Sequence, residues 1–179
     1  RTGPHGVRVE DTAPAEASVS DSLCLPYPAQ IDVRELSNGV YLGSERSSDG
    51  HRHGPGKYWW YDGNVYVGEF ADNKRHGMGK LTLLDGTVRE GRWEQDVFKE
   101  AGDATAAVEA ATFYCIKCPI QLQRVVRNLG KHLPTCGETI KAMRDHENWF
   151  VRKTVVEALG QDLATYGETI KEMRGDSDS

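Results

Sequence analysis

Asp62-Gly63-Asn64-Val65-Tyr66-Val67-Gly68-Glu69-Phe70 is the stretch on which the fold turns. Asn38-Gly39-Val40-Tyr41-Leu42-Gly43 anticipates it, and Asp85-Gly86-Thr87-Val88-Arg89-Glu90-Gly91-Arg92-Trp93 repeats it. His53-Gly54-Pro55-Gly56 and His76-Gly77-Met78-Gly79 sit between these phrases. The second and third phrases are 23 residues apart, and so are the two His-Gly-x-Gly units. A fixed period of this size marks an array of one supersecondary unit, and such arrays present surfaces more often than catalytic pockets.

Each unit reads as a β-hairpin. Asp-Gly favours tight hairpin turns, because Gly tolerates positive φ and Asp tolerates left-handed geometry. Val65, Val67 and Glu69 alternate with Tyr66, Gly68 and Phe70, so one strand face carries aromatics. Lys80–Leu84 reads as the return strand, with Lys57–Tyr61 as its counterpart one unit earlier. Each hairpin then buries its aromatic face on the next. Gly43, Gly68 and Gly91 make room for the rings of Tyr41, Tyr66, Phe70 and Trp93. His53 and His76 recur with the period beside glycine, which marks them as structural rather than catalytic.

This pattern resembles the MORN repeat, whose units run roughly Asp-Gly-x-x-Tyr-x-Gly-x-Trp/Phe and then His-Gly-x-Gly. The resemblance covers about one third of the chain. The first unit departs from the period, since Tyr41 and Tyr66 are 25 residues apart. The third has Arg89 where Tyr is expected and is read as an eroded cap ending after Trp93. The resemblance implies an attachment module: a non-catalytic surface found beside catalytic domains or in cytoskeletal, membrane-associated scaffolds.

A second repeat follows with a 30-residue period. Val125-Val126-Arg127-Asn128-Leu129-Gly130 and Gly137-Glu138-Thr139-Ile140-Lys141-Ala142-Met143-Arg144 return as Val155-Val156-Glu157-Ala158-Leu159-Gly160 and Gly167-Glu168-Thr169-Ile170-Lys171-Glu172-Met173-Arg174. Leu122, Val125, Val126, Leu129 and Leu133 are at helical spacing, as are Val151, Val155, Leu159 and Leu163. Each copy predicts a longer helix, a turn and a short helix. Asn148-Trp149-Phe150-Val151-Arg152, continuing to Ala158-Leu159-Gly160, resembles a short HEAT-type helical hairpin. Two copies are too few to stand alone, so the pair is expected to pack on the hairpins, on the preceding helix or on another chain.

The expected fold class is α+β, a short antiparallel hairpin array followed by helical hairpins. Its parts are an extended or disordered tail over 1–37, hairpins over 38–99, a linker helix over 100–114 and helical repeats over 115–179. Asp103 is the N-cap candidate of the linker helix. The Pro-, Ala-, Ser- and acid-rich start lacks the apolar residues needed to order itself.

One constellation could carry chemistry. Cys115 and Cys118 are followed by His132 and Cys136, written Cys-x2-Cys-x13-His-x3-Cys. That is within a residue of zinc-finger spacing and resembles Cys-Cys-His-Cys fingers, including ubiquitin-binding ones. Zn is the implied cofactor. The second copy of the repeat has Asp145, Asn148, Asp162 and Tyr166 at these positions, so a metal is not a property of the repeat. Packing thiols and a redox pair stand beside the zinc reading. Asp49, His51 and His53 form a weaker metal candidate, while Glu90 and Glu94 read as a solvated face. There is no phosphate-binding loop, nucleotide fingerprint or Gly-x-Ser-x-Gly.

Net charge is −5, distributed as −3 over 1–37, −3 over 38–112 and +1 over 113–179. That excludes nucleic-acid binding by electrostatics alone and does not favour an anionic membrane. No apolar run approaches the ~20 residues of a membrane span. The chain starts at Arg1, which points to a fragment or processed product and leaves a removed targeting segment open. The expected function is a non-catalytic scaffold or accessory subunit contacting other protein subunits, inside the cell, in the cytoplasm or an organelle, in a membrane-associated complex. A peripheral phospholipid-binding module and a zinc-binding adaptor are the alternatives.

Overall fold

The computed structural model describes residues 32–117 and 119–175. Seven strands run in sequence order as one antiparallel sheet. They are β1 (Asp32–Leu36), β2 (Gly39–Glu45), β3 (Arg52–Trp60), β4 (Val65–Ala71), β5 (Lys74–Thr82), β6 (Val88–Glu94) and β7 (Val97–Ala101). Five helices follow: α1 (Thr105–Lys117), α2 (Pro119–Gly130), α3 (Leu133–Lys141), α4 (Trp149–Leu159) and α5 (Leu163–Arg174). The α+β arrangement is the expected one.

Asp62-Gly63 and Asp85-Gly86 make the turns that their sequence predicts. The alternate turns were not legible as such. Asp72-Asn73 (φ 50° and 69°) joins β4 to β5, and Gln95-Asp96 (φ 50° and 72°) joins β6 to β7. Two successive positive φ values give the turn twist that matches flanking antiparallel strands. Because of them β5 starts at Lys74 rather than Lys80, and each His-Gly-x-Gly unit lies inside a strand.

Three expected boundaries shift. Asp32–Leu36, placed in the tail, pairs with β2 as the edge strand β1; the rest of that tail, 1–31, lies outside the described residues. The third unit does not stop at Trp93. It turns into β7, where Phe98 packs on Trp93 at 5.1 Å between ring centroids. The linker helix starts later, with the Asp103 carboxylate accepting from the Thr105 N–H at 2.8 Å, and runs on to Lys117.

Strand alternation divides the sheet into two faces. Val40, Leu42 and Trp59 point to one of them and join the helical core of Leu122, Val125, Leu129, Val155 and Leu159. Each such Val or Leu stabilises by about 1.5–3 kcal/mol relative to exposure. On the same face α1 lies against β2 to β5. Its alanines allow the close approach, with Ala111 wholly buried.

The 30-residue repeat emerges as two helix pairs, α2–α3 and α4–α5. The N-termini of the second pair are capped by Asn148, accepting from the Phe150 N–H, and Asp162, accepting from the Thr165 N–H. Every helical apolar position named from the spacing is buried except Leu163, which is 64% exposed.

Candidate functional site: the aromatic and arginine face of the sheet

The face turned away from the helices is built on glycine. Gly43, Gly56, Gly68, Gly79 and Gly91 pair in register across β2 to β6, one per strand. Tyrosine rings lie over this row. A Cβ at Gly56 would stand 2.5 Å from the Tyr41 Oη, and one at Gly79 would stand 2.2 Å from the Tyr66 Oη. So Gly56 and Gly79, the last residues of the two His-Gly-x-Gly units, seat the rings together with Gly43 and Gly68, whereas Gly91, expected to make room for a ring, instead faces the backbone of Glu100 to Gly102. That gives the motif a steric reason the sequence alone did not supply.

The rings satisfy their polar ends locally. Tyr41 Oη donates to the Ser44 carbonyl at 2.7 Å, Tyr66 Oη to the Glu69 carbonyl at 3.1 Å, and Trp93 Nε1 to the Gly79 carbonyl at 3.1 Å. Phe70 stands edge-on to both Tyr41 and Tyr66 at 5.2 Å, and Tyr66 edge-on to Trp93 at 5.6 Å. Burial pushes the Tyr66 phenol up, so it stays a donor at any physiological pH.

Two arginines cover this ladder. The Arg52 guanidinium is 4.9 Å from the Tyr58 ring and 5.5 Å from Phe70. Arg75 is 4.6 Å from Trp93 and 5.7 Å from Trp60. Each reaches into the next tight turn. The Arg52 backbone N–H donates to Asn73 Oδ1 at 3.0 Å, and its guanidinium donates to the Asn73 carbonyl. The Arg75 backbone N–H donates to Asp96 Oδ1 at 2.9 Å, and its side chain donates to Asp96 Oδ1 and to the Asp96 carbonyl, both at 3.0 Å.

The two clamps have one geometry and different electrostatics. Asp96 neutralises Arg75, whereas neutral Asn73 leaves Arg52 with no carboxylate partner among the described residues. Between the clamps lies an open cleft of about 400 Å³. Asn38, Arg52, Tyr58, Trp60, Arg75 and Asp96 shape it, and Tyr58 Oη is held by Asn38 Oδ1 at 2.6 Å.

The residues singled out from the sequence fall elsewhere. His132 stacks on Tyr61 at 3.7 Å and 16°. Cys136 is buried, its thiol 3.6 and 3.7 Å from the Trp60 and Tyr61 carbonyls, and burial pushes its pKa up. Thr135 Oγ1 donates to the Tyr61 carbonyl. Together these side chains join the start of α3 to the end of β3. The side chains of Cys115 and Cys118 lie outside those described. Among the described residues no three His, Cys, Asp or Glu side chains gather to hold a metal. Asp49 is engaged by the Arg46 guanidinium, which also meets Asp72 at 2.8 Å.

The MORN repeat profile matches residues 47–65 and 66–88. Those residues are MORN repeats. MORN repeats are typically non-catalytic and bind proteins or membrane lipids, which fits a face of seated rings and clamped arginines. A comparison with curated proteins found no match. Among the described residues no helix is long and apolar enough to cross a membrane.

The clamp was missed in the sequence although its signal is present. Arg precedes both His-Gly-x-Gly units, and Asn73 and Asp96 are themselves 23 residues apart. Periodicity of polar residues was outweighed by that of the aromatics, which dominate any reading for a core.

Proposed function

We propose that the chain is a non-catalytic adaptor that docks a segment of another protein subunit in the cleft between the two arginine clamps. The observation that carries this is Arg52, a ring-flanked cation whose clamp partner, Asn73, is neutral. A cation held over aromatic faces, with Trp60 and Tyr58 beside it, suits a segment that pairs an acidic side chain with an apolar one. The wider setting is a multi-subunit assembly at a membrane or in an organelle, with the helix pairs acting as a HEAT-like scaffold.

The test is site-directed photocrosslinking from position 38 of the full chain in its native host, followed by titration of the identified partner with purified wild type and with Trp60→Ser. A crosslinked protein segment carrying an acidic residue, bound at least about 10-fold more weakly by Trp60→Ser, supports docking. Flotation with anionic vesicles that Trp60→Ser abolishes, without any crosslinked protein, overturns it in favour of lipid.

A further inference from the structure

We infer that the outer face of α4 and α5 is a second docking surface, independent of the sheet cleft, and that its occupant is an amphipathic helix with acidic flanks from another protein. The two helix pairs are copies of one 30-residue unit, so each contact that the first pair makes to the second has an equivalent position on the second pair.

Two of those contacts are glycine seats. A Cβ on Gly137 of α3 would lie 1.9 Å from the Tyr166 Oη of α5, so the second pair fills that seat completely. Its equivalent is Gly167, around which nothing stands within 4 Å. Gly130 of α2 faces Ala158 of α4, and a Cβ added to it would stand 3.2 Å from that methyl. Its equivalent, Gly160, meets only the carbonyls of its own helix, at Val156 and Glu157. Both seats are occupied in the first copy and open in the second.

The side chains agree. Val126 is wholly buried while Val156 is half-buried, and Leu133 is 6% exposed while Leu163 is 64% exposed. The rings of Trp149 and Phe150 lie against each other at 3.8 Å, tilted by 36°, and stay exposed at 56% and 48%. A cleft of about 450 Å³ runs between the helices, with Trp149, Val156 and Met173 as its apolar part.

Charge selects the occupant. Among the described residues, Arg152, Lys153 and Arg174 line the cleft against a single carboxylate, Glu157, which lies 3.8 Å from Lys153. Arg152 donates to the His146 and Glu147 carbonyls rather than to an acid. A second copy of this face would bring like charges together, which disfavours a symmetric dimer. A helix with acidic flanks complements the cations. Stacked in the register of a third layer, it would place a large side chain at Gly167 and a small one at Gly160.

A displayed library of helical peptides of about 20 residues, apolar at i, i+3, i+4 and i+7 with randomised flanks, selected on the full chain, tests this. Enrichment of acidic-flanked peptides is expected. Their binding should fall at least about 10-fold with Met173→Glu and with Lys153→Glu/Arg174→Glu, and stay unchanged with Trp60→Ser. The double charge variant changes exposed positions only, so a loss there is not a folding failure. No enrichment, enrichment of basic or extended peptides, binding insensitive to the charge reversal, or sedimentation showing that the face pairs with its own copy overturns the inference.

Discussion

Gly79→Ala should be among the most damaging single-methyl additions in the sheet. The new Cβ would sit 2.2 Å from Tyr66 Oη, 2.5 Å from Cζ and 2.8 Å from Cε2, all in a ring that is wholly buried. The ring cannot swing aside freely, because Phe70 and Trp93 stand edge-on at 5.2 and 5.6 Å. Overpacking of this kind costs about 1–3 kcal/mol. Lifting the ring also stretches the 3.1 Å bond from Tyr66 Oη to the Glu69 carbonyl, worth about 1 kcal/mol. Against this, Ala in a strand gains about 0.5–1 kcal/mol over Gly. The net expectation is a loss of about 2 kcal/mol. Urea unfolding followed by tryptophan fluorescence reads it, since Trp59, Trp60 and Trp93 all report on the sheet. The control is the same substitution at Gly167, which lies inside α5 with open space around it; there Ala should stabilise by about 0.5–1 kcal/mol. A cycle with Tyr66→Leu isolates the clash, because the Gly79→Ala cost should vanish once the ring is gone. A loss below about 0.5 kcal/mol, or an equal loss with and without the Tyr66 ring, would refute the seating of the ring on glycine.

Two further outcomes are expected. The Arg46 side chain, and then the His51 backbone N–H, hold the Asp49 carboxyl at about 2, below its ordinary 3.8. A folded-state value below the unfolded one means the pair's contribution is present above 3.8 and lost as pH falls through 2. A carboxyl NMR titration should show that midpoint, and Arg46→Gln should move it back towards 3.8; a midpoint already at 3.8 in the wild type would remove the pairing. At Cys136, burial raises the thiol pKa and hides the sulfur, so its alkylation, resolved by mass spectrometry, should run at least about 10-fold slower in native buffer than in urea. Equal rates would mean that α3 does not rest on the end of β3 as the structure has it.

What could be read from the residues was what period and turn chemistry encode. Asp62-Gly63 and Asp85-Gly86 announce hairpins, and the alternation of Tyr66, Gly68 and Phe70 announces an aromatic face. Asp72-Asn73 and Gln95-Asp96 were silent, because neither contains the glycine that usually marks two positive φ values. Asp32–Leu36 was silent for another reason: an edge strand needs a partner to be recognisable, and its pairing with Gly39–Gly43 is a tertiary fact. The cleft was hidden because a net charge of −3 over 38–112 does not say which cations stand beside a carboxylate. Arg75 does, beside Asp96, but Arg52 sits opposite an asparagine, and only the structure pairs the two positions.

In both halves of this chain the repeat supplies its own reference state. Where two copies agree, the shared residue explains packing: Gly56 and Gly79 seat rings, and Val125 and Val155 fill cores. Where they differ, the difference is explained either by the neighbours that only one copy has, as with Cys136 at the end of β3 and Tyr166 in the Gly137 seat, or by something other than packing. Asn73 in place of Asp96 costs the first clamp an ion pair while keeping its turn and its backbone bond. Arg152 in place of Leu122 puts a cation where the inner layer has a buried leucine. Each departure adds uncompensated positive charge beside exposed or half-exposed aromatics, in a chain whose net charge is −5. Both cations also serve the fold, Arg52 by clamping the Asn73 turn and Arg152 by bonding the His146 and Glu147 carbonyls, but neither bond uses up the positive charge. Both surfaces are aromatic-edged and carry a cation without a carboxylate partner among the described residues, which is the common ground of the two docking proposals.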